Sequence, residues 1–373
     1  MLFDLFYELS VPPFGGRTES QVFHETLDEL VLADRLGFGT AWLVEHHFMP
    51  AYSHSAAPDL FLAAAAQRTR QLRLGHGIVP LPYHHPVQVA ERIATLDILS
   101  GGRVEFGFGR GFSPREYHTF GVTMEDSRSL TEEALSILRG AFRGGPLTFH
   151  GRHFTIDSLD IVPQVVQRPH PPLWTAAVSP DSFELAARLG VGVLVGPFKP
   201  WFMVREDIRR YRRHWQHYRG SGPPSPGENP RVAMTVGIFC MEDGRHARAL
   251  AAEGITWFYR ALLEQTRGVL ERLYGSYEYY RRMGRLRGLL DRAVSLPILE
   301  ALGMVVVGNP EHCVQRLRTL EQAGVNRVLL AVGAGALPTA PVQTCLELIA
   351  ARVMPQFLPT PGDTATDPSG QGP

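Results

Sequence analysis

Lysine is nearly absent from this chain: Lys199 is the only one among 37 Lys and Arg residues, and no function is read from its rarity. Cysteine is scarce too. Cys240, Cys313 and Cys345 are too few and too scattered for a disulfide framework or a CxxC zinc site, and a reducing cytoplasm is the simplest setting for them. No uninterrupted apolar run reaches the roughly 18 residues of a membrane span. The opening stretch MLFDLFYELSVPPFGG has no basic region ahead of its apolar residues, which predicts an unexported protein with no membrane association. An excess of one charge is also missing, since 37 Lys+Arg balance 37 Asp+Glu, and with it any whole-protein attraction to nucleic acid. Apolar residues, in contrast, make up 44% of the 373 positions, enough for a large core. A length of 373 leaves open one large barrel or two to three smaller domains.

Hydrophobic period favours the barrel. Strand-like runs at 2–9, 40–44, 72–79, 103–108, 172–177, 191–196, 231–239, 304–307 and 326–332 alternate with helical patterns at 19–36, 57–70, 86–99, 126–142, from 180, 201–218, from 244, 310–323 and 340–354. In the first third, Gly37, Gly39, Gly101 and Gly102 stand where helices should stop before the next strand. A polar hairpin-like excursion occupies 147–162. The pattern predicts an α/β fold, a (β/α)8 TIM barrel with insertions, in a single domain over 1–357. The Arg- and Tyr-rich stretch 264–298, read as helical, is the candidate lid insertion, and 358–373 should be a disordered tail.

Chemistry is expected at the C-terminal ends of the strands, where barrel enzymes place their active sites. WLVEHHF at 42–48 ends the second strand. His46 suits acid/base work there, because an imidazole titrates near neutrality; a structural histidine pair and a metal site are the other readings. Adjacent strand residues point to opposite sides, so His46 and His47 do not readily share an ion, and no HExxH or similar spacing supports a metal. RVEFGFGRGFS at 103–113 has glycines spaced GxGxG with Pro114 following, unlike the dinucleotide fingerprint GxGxxG. Its small residues would let backbone approach a ligand, with Arg110 offering a fork for phosphate; a tight turn carrying a solvated arginine is the alternative. In TAAVSPDSFELAARLG at 175–190, Ser179 reads as an N-cap, Pro180 as the first helical residue and Ser182 as one turn inside, an arrangement that either binds an anion or simply caps a helix. Arg128 opens another helix. The pair His84–His85 before Pro86 reads as structural. Phe6, Phe198, Trp201 and Phe239 fall near strand ends, with core packing as the default role and pocket lining as the second.

Taken together, GFGTAWLVEHHF (37–48), LRLGHGIVPLPYHHPVQVAERIATLDILSGGRVEFGFGRG (72–111), FGVTMEDSRSL (120–130), VSPDSFELAARLG (178–190) and VVVGNPEHCVQRL (305–317) resemble the bacterial luciferase-like monooxygenases, flavin-dependent (β/α)8 barrels. The resemblance runs from about residue 1 to 355. It implies His46 as the catalytic residue and Arg110, Arg128, Ser179 and Ser182 as a phosphate cradle. Gly77, Ile78, Gly109, Ala177 and Val178 would lie against the flavin, and Phe6, His47, Phe198 and Trp201 against the substrate. It also implies a non-proline cis peptide at Gly77–Ile78. The light-emitting subunit carries a cysteine where this chain has Gly109, so the pocket beside the flavin differs. The implied activity is an FMNH2-dependent monooxygenation, in which O2 forms a flavin C4a-(hydro)peroxide that acts on a small carbonyl or aromatic substrate. No NAD(P)H motif is visible, so the reduced flavin would come from a separate NAD(P)H:flavin reductase. Two alternatives share the barrel: F420-dependent hydride transfer, and a non-catalytic partner subunit. The resemblance further implies a homodimer and no metal.

Overall fold

In the computed structural model the chain is described over residues 1–197, 199–276, 294–335 and 337–357. Eight parallel strands form a closed ring: β1 (Leu2–Tyr7), β2 (Thr40–Leu43), β3 (Arg73–His76), β4 (Val104–Gly109), β5 (Leu173–Ala176), β6 (Gly192–Val195), β7 (Val232–Cys240) and β8 (Arg327–Ala331). Each pairs with the next, and Leu2 opposite Arg327 joins β8 back to β1. The strands β2, β4, β6, β7 and β8 are buried at every position, as a barrel covered by helices outside and filled inside requires. The expected α/β barrel is therefore the fold of the chain.

Local signals set most element boundaries. The helix Glu19–Leu36 starts at a Thr18–Gln21 capping box and stops at Gly37, whose φ of 82° few other residues adopt without strain. Three expectations are corrected. The run 304–307 does form a strand, Val305–Gly308, but it lies outside the ring and pairs only with the upper part of β7, Gly237–Cys240. The run 72–79 splits into β3 and the short strand Val79–Pro80, leaving Gly77 and Ile78 between them. The cis peptide bonds among the described residues are Val162–Pro163 and Arg168–Pro169, so the Gly77–Ile78 bond is trans, contrary to the implied geometry. The excursion at 147–162 is an antiparallel hairpin, Pro146–His150 with Thr155–Asp160. Of the expected lid, 264–276 continues the helix Gly244–Ser276, residues 277–293 lie outside the described residues, and Leu296–Ala301 is a short helix. The tail 358–373 also lies outside the described residues.

The barrel lumen is layered. At the N-terminal end of the strands, Arg327 Nε and Nη2 donate to Asp4 at 2.7 and 2.9 Å, and its Nη1 lies 3.7 Å from Glu105, which Arg73 also pairs at 2.7 Å. Above these charges, Trp42 and Trp174 meet edge to face at 5.6 Å, their indole N–H groups donating down to Asp4 and Glu105. Gly75 and Gly192 make room for them, since a Cβ at either would stand 2.5 Å from the facing indole. The lumen below the C-terminal mouth is thus filled by side chains.

Two residue types that were uninformative in sequence acquire partners here. Lys199 is buried and its ammonium pairs with buried Asp207 at 2.6 Å. The three cysteines, far apart in sequence, converge: Cys240 N–H donates to Cys345 Sγ at 3.1 Å, and the Cys313 thiol contacts Cys240. All three remain free thiols and are fully buried.

Candidate active site

A cavity of about 290 Å3 opens at the C-terminal mouth of the barrel, and all eight strands or the loops that follow them line it. That volume is close to the lower end of the range for small-molecule sites, about 300 Å3. Its walls are largely apolar, with Phe6, Val44, Ile78, Phe108, Leu194 and Leu329 among them. Two sets of polar groups stand out on its lining.

The first set centres on His46. Its ring is bracketed by carboxylates from two other segments, with Nδ1 3.7 Å from Glu116 and Nε2 3.9 Å from Glu8. Both separations exceed hydrogen-bond length, and Nδ1 of His46 and Oε2 of Glu8 are buried without a partner. Burial alone would pull the imidazole pKa down, but the neighbouring Glu116, Glu8 and Glu45 carboxylates outweigh it, and the net shift is upward from 6.5. Burial pushes Glu8 up, only partly offset by His46 and by the Tyr52 hydroxyl that donates to it at 2.9 Å. Glu116 accepts the backbone N–H of His47 at 2.8 Å and the Tyr83 hydroxyl at 3.2 Å, which fixes it beneath the motif. A ring with a carboxylate facing each nitrogen is suited to holding a proton and passing it on.

His47 faces the other way. Its Nε2 lies 3.2 Å from Glu45, which also pairs with His84, and its ring packs on Phe120 at 4.9 Å. Burial raises Glu45, but the hydrogen bonds from His47 and His84 prevail and its pKa is lowered. The adjacent histidines diverge as expected, but β2 ends at Leu43 and both stand in the loop after it, so their partners, not strand alternation, set the directions. No cluster among the described residues could hold a metal ion.

In the second set the structure brings Arg110, Arg128, Ser179 and Ser182 to the same cavity, with Val178 and Gly109 also lining it. Ser179 and Ser182 form a reciprocal cap on the helix Pro180–Leu189, and the Val178 and Ser179 N–H groups both donate to Ser182 Oγ at 2.9 and 3.0 Å. Arg110 is exposed at the rim. Arg128 bends back one helical turn to Glu132 at 3.3 Å. Two cationic forks, two hydroxyls and a helix N-terminus make a set that fits a phosphate monoester.

Of the remaining expected residues, Gly77, Ile78 and Phe6 line the cavity; Ala177, His47 and Trp201 do not, and Phe198 lies outside the described residues. At Gly109 a Cβ would stand 2.9 Å from Ile78 Cδ1, so here isoleucine fills the space a side chain at 109 would take. Sequence reasoning missed Glu8, Glu45, Glu116, Tyr52, Tyr83 and Glu132. Glu116 had a misleading signal, since Ser113-x-x-Glu116 reads as a capping box. Ser113 does accept the Glu116 N–H at 3.4 Å, while the Glu116 carboxylate turns to His47 and Tyr83 instead.

The profile of the luciferase-like monooxygenase family matches residues 4–327. The chain is 30% identical over 342 residues to limonene 1,2-monooxygenase from Rhodococcus erythropolis, covering 90% of this chain and 81% of that protein. It is 32% identical over 203 residues to the oxygenase component of the flavin-dependent trigonelline monooxygenase from Acinetobacter baylyi, covering 53% of this chain and 54% of that one. With protein y4wF of Sinorhizobium fredii it shares 46% identity over 174 residues, 46% of this chain and 51% of y4wF, so it spans about half that relative's length. Among solved structures, the monooxygenase RslO1 from Streptomyces bottropensis superposes with a TM-score of 0.80 at 27% identity, covering 96% of this chain and 100% of that one. The oxygenating constituent of 3,6-diketocamphane monooxygenase from Pseudomonas putida, in complex with FMN, gives 0.73 at 20% identity, with 96% and 99% covered. The coenzyme F420-dependent tetrahydromethanopterin reductase from Methanopyrus kandleri gives 0.67 at 20%, with 96% and 99% covered. At such identities the last two likenesses speak for the fold alone.

Proposed function

The chain belongs to the luciferase-like monooxygenase family, and from that premise we propose that it is a flavin-dependent monooxygenase that uses reduced FMN from a separate NAD(P)H:flavin reductase. The observation that carries the reading is a single cavity lined both by a phosphate-compatible set of residues and by a carboxylate-bracketed imidazole. Reduced FMN, when bound, supplies two electrons to O2, so that one oxygen atom enters the substrate and the other leaves as water.

The chain's own residues have distinct tasks. Arg110, Arg128, Ser179 and Ser182 hold the phosphate. Gly77, Ile78 and Gly109 offer a low wall to the ring system, while Phe6, Val44, Phe108 and Leu329 exclude water and accept an apolar substrate body. His46 holds a proton at a ring nitrogen facing the cavity, with Glu116 and Glu8 keeping it there. The substrate is a small carbonyl or aromatic compound. F420-dependent hydride transfer shares the barrel and makes a different demand, and a silent partner subunit makes none. Anaerobic titration with reduced FMN and with reduced F420, each followed by an oxygen pulse, separates the three readings: preferential FMN binding with oxygen-dependent product formation supports ours, and F420 binding with no oxygen consumption overturns it.

The phosphate assignment predicts that Arg110→Ala weakens FMN about tenfold, a modest loss because the guanidinium is exposed and solvent-screened. Riboflavin, lacking the phosphate, should be affected less than twofold, as read by fluorescence titration; equal losses for both ligands would sink the assignment. We also propose a homodimer. It is supported by apolar side chains left bare on two adjacent outer helices, Pro58–Arg68 and Pro86–Ser100: Leu60 is 75% exposed, and Ile98 and Leu99 are nearly half exposed. Sedimentation should give twice the chain mass at micromolar concentration, and a stable monomer there refutes it.

A further inference from the structure

One residue on the phosphate wall has the wrong charge for it. Glu132 lines the same cavity as Arg110, Arg128, Ser179 and Ser182. Its Oε1 is 3.3 Å from Arg128 Nε on its own helix, Ser127–Arg143, and 3.3 Å from Arg188 Nη2 on the facing helix, Pro180–Leu189. A residue four positions along a helix sits one turn away, about 5–6 Å. Glu132 therefore draws the Arg128 fork along the helix axis, and its own negative charge faces the cavity that a phosphate carrying about −1.5 to −2 would enter.

Resting on the FMN reading above, we propose that Glu132 is a built-in competitor for the phosphate: it offers Arg128 a second seat and sets a limit on how tightly the cofactor is gripped. A bound phosphate must take Arg128 from Glu132 and then endure the carboxylate nearby. All three side chains are between about one third and one half exposed, so the pairs are individually weak and the exchange is easy. The logic suits a cofactor that arrives reduced from another protein and must leave oxidised after each turnover, because a wall of uncompensated cations would retain both forms. Arg188, 3.3 Å away on the other side of Glu132, holds the carboxylate in place between the two forks.

The test is fluorescence titration of the full-length protein with oxidised FMN and with riboflavin, for the wild type, Glu132→Gln and Glu132→Ala. Both variants lack the charge, and Ala is the strongest helix former, so the two cross-check folding. The expected result is FMN binding tighter by about tenfold, or 1.4 kcal/mol, in both variants, with riboflavin changed less than twofold. In an Arg128→Gln background the gain from Glu132→Gln should shrink, because the fork that it frees is gone. If the wild type binds FMN no better than riboflavin, the phosphate reading itself fails. If the wild type prefers FMN and removing the Glu132 charge leaves that preference unchanged or lowers it, the phosphate reading stands and the competitor role is overturned.

Discussion

Replacing His46 with alanine is expected to lower turnover by about 10²–10⁴-fold, the usual span for a lost general acid or base, while FMN still binds. The two sets of groups come from different segments, His46 from the loop after β2 and Arg110, Arg128, Ser179 and Ser182 from the segments that follow β4 and β5, which is why binding and turnover should separate. Protonation supplies a second signature. The neighbouring carboxylates carry the imidazole above 6.5, so histidine NMR on the ligand-free protein should show His46 titrating on the alkaline side of that value, and Glu116→Gln should move it down. The sign for stability follows: a raised folded-state pKa contributes stability that is full below pH 6.5 and is lost as pH rises through the folded value. If the imidazolium is the working proton donor, turnover falls over that same upper window. Zinc or a chelator should change nothing. A variant that melts several degrees early and binds FMN more weakly, yet turns over at the normal rate once saturated with reduced FMN, would reassign His46 to the fold.

The second large effect lies at the opposite end of the barrel. Arg327→Met should destabilise the protein by about 3–5 kcal/mol, the range for stripping one partner from a buried ion network. Asp4 and Glu105 are both buried, and Arg327 serves both, so its loss leaves Asp4 with only the Trp42 N–H and Glu105 dependent on Arg73 and Trp174. Urea unfolding of the variant beside the wild type measures it, with FMN affinity of the native fraction as the control. A loss below about 1 kcal/mol, the worth of an exposed pair, would show that the lumen floor is wetter or more adaptable than its geometry implies. Asp4→Asn with Arg327→Met should recover part of the loss, since it removes one of the stranded charges.

The elements of the barrel were legible because each rests on neighbours in sequence. Thr18 and Gln21 start a helix and Gly37 ends it within one stretch of chain, and the alternation of β and α patterns leaves a closed parallel ring as the way to cover every strand. Boundaries failed where pairing overrode pattern. Val305–Gly308 has the composition of a barrel strand, but β8 already pairs with the lower part of β7, so it docks on the upper part alone. The positions of His46, Arg110, Arg128, Ser179 and Ser182 on one cavity follow from a family pattern in which several local motifs occur in a fixed order.

What the sequence by itself determined, then, was the barrel, the strand ends that face its mouth, and the residue types offered there. Tertiary structure decided which charges meet. Glu8 and Glu116 reach His46 across 38 and 70 positions of chain, and Arg327 reaches Asp4 across 323. Lys199 and the three cysteines looked incidental until burial gave them partners. The reason is common to all of them: a cap is completed, and a strand's pattern is written, by residues a few positions apart, whereas a buried charge or thiol is satisfied by whatever ring closure brings beside it, and ring closure is not a local property of the chain.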